Sequence, residues 1–77
     1  MIDRPARAAF AAFLDRLATG VATPGEWEEQ AVAHHADDQL ERRRRDTVRV
    51  LLGSGAGAQP DTHQASLLAE WARELRC

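Results

Sequence analysis

Apolar residues recur at intervals of three and four along most of the chain, which is the period of an amphipathic helix. The residues that carry this pattern are Phe10, Phe13, Leu14, Leu17, Trp27, Leu40, Val48, Leu51, Leu68, Trp71 and Leu75. The alternation typical of strands is confined to residues 48–50, which is too short a stretch to define a sheet. The pattern therefore predicts an all-α fold.

Capping residues mark the ends of the first two predicted helices. Asp3 is placed to cap the first helix, and Gly20 suits the left-handed residue that follows a last helical turn. Thr23 and Glu26 have the three-residue spacing of a capping box, in which each side chain accepts a hydrogen bond from the other residue's backbone N–H. These signals predict helices at about residues 4–19 and 24–35.

Two further capping pairs predict the remaining helices. We expect the third helix to begin at Asp38, with Glu41 completing a second capping box. Asp61 or Thr62 is placed to cap the fourth helix, and Gln64 has the capping-box spacing from Asp61. The predicted ranges are about 38–52 and 62–76. No strong helix breaker lies between the second and third helices, so one continuous helix is an alternative there.

The stretch from Gly53 to Pro60 is rich in Gly and Ala, and we interpret it as a longer loop before the fourth helix. Its glycine spacing also matches the dinucleotide-binding motif, but the proline leaves no helix where that motif needs one. The other connections are short, and 77 residues are enough for one domain. The sequence therefore predicts a small four-helix bundle, with a single helical domain over residues 1–77.

Composition and charge narrow the classes of partner and location. All ten basic residues are Arg and the formal net charge is −2, which gives no reason to expect nucleic acid or an anionic membrane as the main partner. The Arg and Ala bias indicates a GC-rich bacterial genome. Charged residues interrupt the first apolar stretch, unlike a secretory signal peptide, and no apolar run approaches membrane-spanning length. We expect a cytoplasmic protein.

Candidate chemical groups are sparse. His34, His35 and Asp38 are the nearest approach to a metal site, but one short segment rarely supplies a full set of ligands. No Ser or Cys lies beside a His with a third orienting group, and Cys77 is the only cysteine. We therefore expect no catalytic residue, no cofactor and no bound metal, and we predict that the protein is not an enzyme.

Charged residues form two groups that are candidates for partner binding. The acidic group lies early in the second helix and the basic group lies along the third; their members are Glu26, Glu28 and Glu29, and Arg42, Arg45 and Arg49. Acid-first pairs at i, i+4 are expected between Asp38 and Arg42 and between Glu41 and Arg45. Arg44 falls in line with Leu40 and Val48, so we expect its stem to be buried and its head group to meet a carboxylate.

By elimination, the sequence predicts a small bacterial protein–protein interaction module, such as an inhibitor, an adaptor or a regulatory subunit. The opposite charges of the two groups allow a homodimer in which they pair. The alternative is a nucleic-acid-associated regulator that uses Arg42, Arg45 and Arg49. Salt dependence would separate the two classes, because complexes with phosphates weaken steeply as salt rises.

Overall fold

The structure, a computed structural model, describes residues 2–54 and 60–76 and has four helices and no strand over these ranges. The helices are α1 (Arg4–Ala18), α2 (Pro24–Val32), α3 (Asp38–Ser54) and α4 (Thr62–Arg76). The predicted all-α class and the number of helices are confirmed. The predicted Gly- and Ala-rich loop falls largely on residues 55–59, which lie outside the described residues.

Both ends of α1 follow the sequence prediction. The backbone N–H of Ala6 donates to a carboxylate oxygen of Asp3 at 3.0 Å, which caps the N-terminus. At the other end Gly20 adopts a positive φ of 78°, and the N–H of Val21 donates back to the carbonyl of Arg16 at 2.9 Å. This is the Schellman arrangement, which satisfies carbonyls that the last helical turn would otherwise leave unpaired.

The predicted capping box of α2 is present, but the helix ends earlier than expected. The N–H of Glu26 donates to the Thr23 hydroxyl at 3.1 Å, and the N–H of Thr23 donates to the Glu26 carboxylate at 3.0 Å. The helix ends at Val32, where a range to residue 35 was predicted, and Ala33 is extended with φ −71° and ψ 142°. Helices α2 and α3 are therefore separate.

Helix α3 is capped by Asp37, which corrects the prediction that Asp38 and Glu41 form its capping box. The backbone N–H groups of Gln39 and Leu40 donate to Asp37 Oδ1 at 3.1 and 3.3 Å. The carboxylate of Glu41 instead accepts a hydrogen bond from the N–H of His35 at 3.1 Å. Side chains thus satisfy backbone groups in this connection, which explains why α2 does not continue through it.

The capping box of α4 is confirmed. The N–H of Gln64 donates to Asp61 Oδ1 at 2.8 Å, and the N–H of Asp61 donates to Gln64 Oε1 at 3.0 Å. The preceding helix α3 runs to Ser54, two residues beyond its predicted end, since a glycine at position 53 is tolerated within a last helical turn.

The core lies mainly between α1 and α4, which share the most extensive contact of any two helices, whereas α2 contacts chiefly α3. The buried apolar residues are Phe10, Ala11, Phe13, Leu14, Leu17, Leu40, Leu51, Leu68, Trp71, Ala72 and Leu75. Trp27 and Leu67 are partly buried against this cluster. Over the described ranges, no helix combines the length and the apolar character needed to cross a membrane.

Candidate interaction surface

A stripe of exposed Arg side chains runs along the outer face of α3. Arg42, Arg45 and Arg49 are all exposed, and their i, i+3, i+7 spacing places them on one side of the helix over a length of about 10 Å. We call these three residues the Arg stripe. They line a surface groove of about 360 Å³ together with Asp38, Glu41 and Asp46.

Two of the three carboxylates in this groove are paired with Arg residues beside the stripe. Glu41 accepts from Arg44 Nη2 at 2.6 Å, and Asp46 accepts from Arg43 Nη1 at 3.0 Å. Within the stripe, Arg45 shares Glu41 at 3.2 Å, which confirms that predicted pair. Arg42 and Arg49 form no ion pair with a described residue. The predicted Asp38–Arg42 pair is therefore absent. Arg42 and Arg49 present exposed guanidinium groups, and the charge of Arg42 contributes to the lowered pKa of Glu74.

The carboxylate of Glu41 is held in its charged form by the groups around it. The hydrogen bond from Arg44 holds the pKa of Glu41 well below its usual range, and the backbone N–H of His35 adds to the effect. Arg44 is only 7% exposed, which confirms the predicted burial of its stem, and the same contact raises its own pKa. Glu41 thus anchors the helical turn from which the Arg stripe projects.

A clamp between α3 and α4, centred on Arg43, is a feature that the sequence did not reveal. The guanidinium carbon lies 5.2 Å from the ring centroid of Trp71, and Nη2 donates to both carboxylate oxygens of Glu74 at 3.0 Å. Burial raises the pKa of Glu74, but hydrogen bonds from Arg43 and Gln39 outweigh it, so the net shift is downward. Only the pairing of α3 with α4 brings these residues together, so no local sequence signal marks them.

The start of α3 is fixed by a buried carboxylate that sequence reasoning also missed. Asp37 is 1% exposed; it accepts from Arg7 Nη2 at 2.8 Å and from the N–H of Asp3 at 2.9 Å. The Arg7 guanidinium lowers the pKa of Asp37 well below its usual range, and the N–H groups of Asp3 and Leu40 contribute further. Asp37 therefore links the start of α3 to Arg7 on α1 and to Asp3, which caps α1. These contacts orient the helix that carries the Arg stripe.

The predicted acidic group on α2 is divided by the structure. Glu26 turns toward α1, where its carboxylate accepts from Arg16 Nη2 at 2.9 Å. The N–H of Thr23, followed by Arg16, lowers the pKa of Glu26. Glu28 and Glu29 are exposed, and neither forms an ion pair with any residue that the structure describes. Only these last two carboxylates are therefore available together on the outer face of α2.

The histidines considered as metal ligands point to different surroundings. His34 is exposed, with Nδ1 3.5 Å from a carboxylate oxygen of Glu41. The ring of His35 packs edge-on against Phe10, with ring centroids 6.3 Å apart. Among residues 2–54 and 60–76, no three His, Cys, Asp or Glu side chains are arranged to hold a metal ion.

A second surface groove, of about 250 Å³, lies where the C-terminal end of α4 meets the N-terminal half of α1. Its lining residues are Ile2, Arg4, Arg7, Ala8, Leu75 and Arg76. Neither this groove nor the one along α3 is lined by a Ser, Cys or His of the described chain. No protein-family model, curated protein or solved structure matches the chain, so a functional assignment depends on its own residues.

Proposed function

We propose that this chain is a protein–protein interaction module, an inhibitor, adaptor or regulatory subunit, built as a four-helix bundle and without catalytic activity of its own. Its partner is another protein, which binds through the charged outer faces of α3 and α2. The residues proposed to carry this contact are Arg42, Arg45 and Arg49, with Glu28 and Glu29 and a lesser part for Glu26.

The observation that carries the proposal is the exposed Arg stripe with its paired neighbours. Arg43 and Arg44 already engage Asp46 and Glu41, and the guanidinium groups of Arg42 and Arg49 form no ion pair with a described residue. An Arg head group makes paired hydrogen bonds to a carboxylate, and its stem still buries apolar area, which suits a protein interface.

The mixture of charges in the groove favours a protein over a nucleic acid. Carboxylates of Asp38, Glu41 and Asp46 line the same groove as the Arg stripe, and the whole chain has a net charge of −2. A polyanion presents phosphates continuously and would meet these carboxylates, whereas a protein presents separate carboxylates that align with separate Arg residues.

The absence of catalytic activity is supported by what lines the grooves. Nucleophilic or general-base catalysis uses Ser, Thr, Cys, Lys, Tyr, His or a carboxylate at a concave site. Glu41 is one of the carboxylates that line the α3 groove, and its pKa is lowered. A carboxylate with a lowered pKa stays charged near neutral pH and is a poor proton acceptor.

A matched pair of charge reversals tests the proposal. Arg49→Glu and Arg4→Glu each change the charge by two, and each replaces an exposed Arg that has no ion pair with a described residue. Wild type and both variants are immobilised and exposed to a nuclease-treated extract of a GC-rich bacterium. Any captured protein is then purified and titrated against all three chains by calorimetry.

We expect a purified protein that binds wild type and Arg4→Glu alike, and that binds Arg49→Glu at least tenfold more weakly. Binding that the two variants weaken equally would contradict the proposed surface. Labelled DNA and RNA oligonucleotides form a separate arm of the experiment. Three phosphate contacts would give a slope of about −2.7 in log K against log salt, and that result would instead establish the nucleic-acid-associated regulator.

A further inference from the structure

The outer face of α2 combines two free carboxylates with an uncovered apolar side chain. Gly25, Glu28, Glu29 and Val32 recur at i, i+3, i+4 and i+7, and all four are exposed. Val32 is 74% exposed, the largest exposure among the large apolar residues of the described chain. We call these four residues the acidic face. The acidic face thus presents two carboxylates, unpaired within the described ranges, beside one uncovered apolar side chain.

The acidic face and the Arg stripe complement each other in charge and in length. The acidic face extends from Gly25 to Val32, about 10 Å along its helix axis, and the Arg stripe extends about the same length along its own. Glu28 and Glu29 carry exposed carboxylates, and Arg42 and Arg49 carry exposed guanidinium groups that form no ion pair within the described residues. The aliphatic stem of an Arg side chain can also cover the methyl groups of Val32.

Within one copy of the chain these two faces do not cover each other, because the residues of both remain exposed. A second copy supplies the missing complement for each face at once. If the two copies are related by a two-fold axis, α2 of each molecule contacts α3 of the other, and the contact is made twice. Exposed ion pairs are individually weak, so this repetition favours a second copy over a partner that covers one face only.

Resting on the proposed interaction function, we infer that the chain forms a reciprocal dimer in which the acidic face of each copy binds the Arg stripe of the other. The dimer is weak, with a dissociation constant in the micromolar range, because the contact is largely charged and each copy contributes a single apolar residue to it. It weakens as salt rises, because both surfaces are exposed.

Two double charge reversals test this pairing directly. The first is Glu28→Arg with Glu29→Arg, and the second is Arg42→Glu with Arg49→Glu. Arg45 is left unchanged because it is bonded to Glu41. Each variant opposes like charges in its own dimer, whereas a one-to-one mixture pairs opposite charges at both contacts. Arg4→Glu is the control for reversal of a charge outside the two faces.

Sedimentation velocity over a concentration series is the measurement, with circular dichroism to establish that every variant is folded. We expect wild type and Arg4→Glu to dimerise, each double variant alone to dissociate at least tenfold more readily, and the mixture to recover dimers of near wild-type affinity. A mixture that stays monomeric overturns the inference, as does a monomeric wild type.

The two proposals fail in different ways. If wild type is monomeric at every concentration but still binds a purified bacterial protein in an Arg49-dependent manner, the dimer is wrong and the interaction module stands. If wild type neither dimerises nor binds a protein through this surface, both are wrong.

Discussion

Arg7 and Asp37 are separated by 30 positions in the sequence, and their side chains form the ion pair that joins α1 to the start of α3. The same carboxylate accepts the N–H groups of Gln39 and Leu40 at the first turn of α3. One buried residue therefore serves both as a helix cap and as an interhelical contact. The orientation of α3, and with it the Arg stripe, depends on this carboxylate.

Replacing this carboxylate by an amide should destabilise the fold markedly. Asn at position 37 still caps a helix, but Asp37→Asn leaves the Arg7 guanidinium, only 12% exposed, without its counter-charge. We expect the melting temperature to fall by about 10 °C or more, since a broken buried pair is costly and small domains lose several degrees per kcal/mol. The matched control is Asp38→Asn, the same change at an exposed neighbour, for which circular-dichroism melts should show a much smaller shift. Equal shifts would contradict the assigned role of Asp37.

Acid should weaken the fold through Asp37 and Glu41. The pKa values of both carboxyls are lower in the folded chain than in the unfolded chain. At pH values between the two, the unfolded chain binds more protons, so the free energy of unfolding rises with pH. This stabilisation is complete above the unfolded values of about 4 and is lost as the pH falls through the folded ones. Urea titrations should therefore show midpoints that decrease steadily below about pH 4.5. The Glu41→Gln variant should show a smaller decrease, and a midpoint independent of pH in this range would exclude the mechanism.

Removal of the Trp71 ring should cost a large part of the total stability. The side chain is 8% exposed, lies in the core and supports the Arg43 guanidinium. We expect Trp71→Ala to lower the free energy of unfolding by about 3–5 kcal/mol, as for other large aromatic residues in cores. Trp27→Ala, at a partly buried position, should cost clearly less in the same denaturant titrations. If the two variants lose the same free energy of unfolding, the core is not centred on Trp71 as described.

His35 is a position where an apolar substitution should stabilise the chain. Its Nε2 is buried and has no hydrogen-bond partner among the described residues, while its ring edge packs against Phe10. Replacing an unsatisfied polar group by an apolar group of similar size removes that penalty, so His35→Leu should raise the free energy of unfolding by about 1 kcal/mol. The matched control is His34→Leu, at an exposed position, where little change is expected. A loss of stability in His35→Leu would show that this ring nitrogen is satisfied in solution.

The features that the sequence predicted correctly are those fixed by neighbours within one helical turn. The capping boxes at Thr23 and Asp61 need only a partner three residues away, and both are present. The position of Arg44 relative to the apolar stripe of α3 likewise predicted its burial and its contact with a carboxylate. These inferences succeed because helix geometry alone determines which residues meet.

The features that were missed depend on contacts between helices. Two adjacent aspartates both suit the cap of α3, and the choice of Asp37 over Asp38 reflects Arg7, which lies on another helix. The clamp of Arg43 on Trp71 requires α4 to lie beside α3. The division of the acidic group on α2 also follows from tertiary structure, because Glu26 turns toward Arg16 on α1. No periodicity within a single helix identifies such partners.

The extensive contact between α1 and α4 joins the helices that are farthest apart in the sequence. During synthesis on the ribosome, the side chains of Phe10, Phe13 and Leu14 therefore stay largely exposed until residues 62–76 have emerged and can pack against them. Closing such a long loop carries an entropic cost before the apolar faces meet. We expect the fold to be completed only after α4 has been synthesised, with a nascent intermediate that is exposed to chaperones and proteases until then.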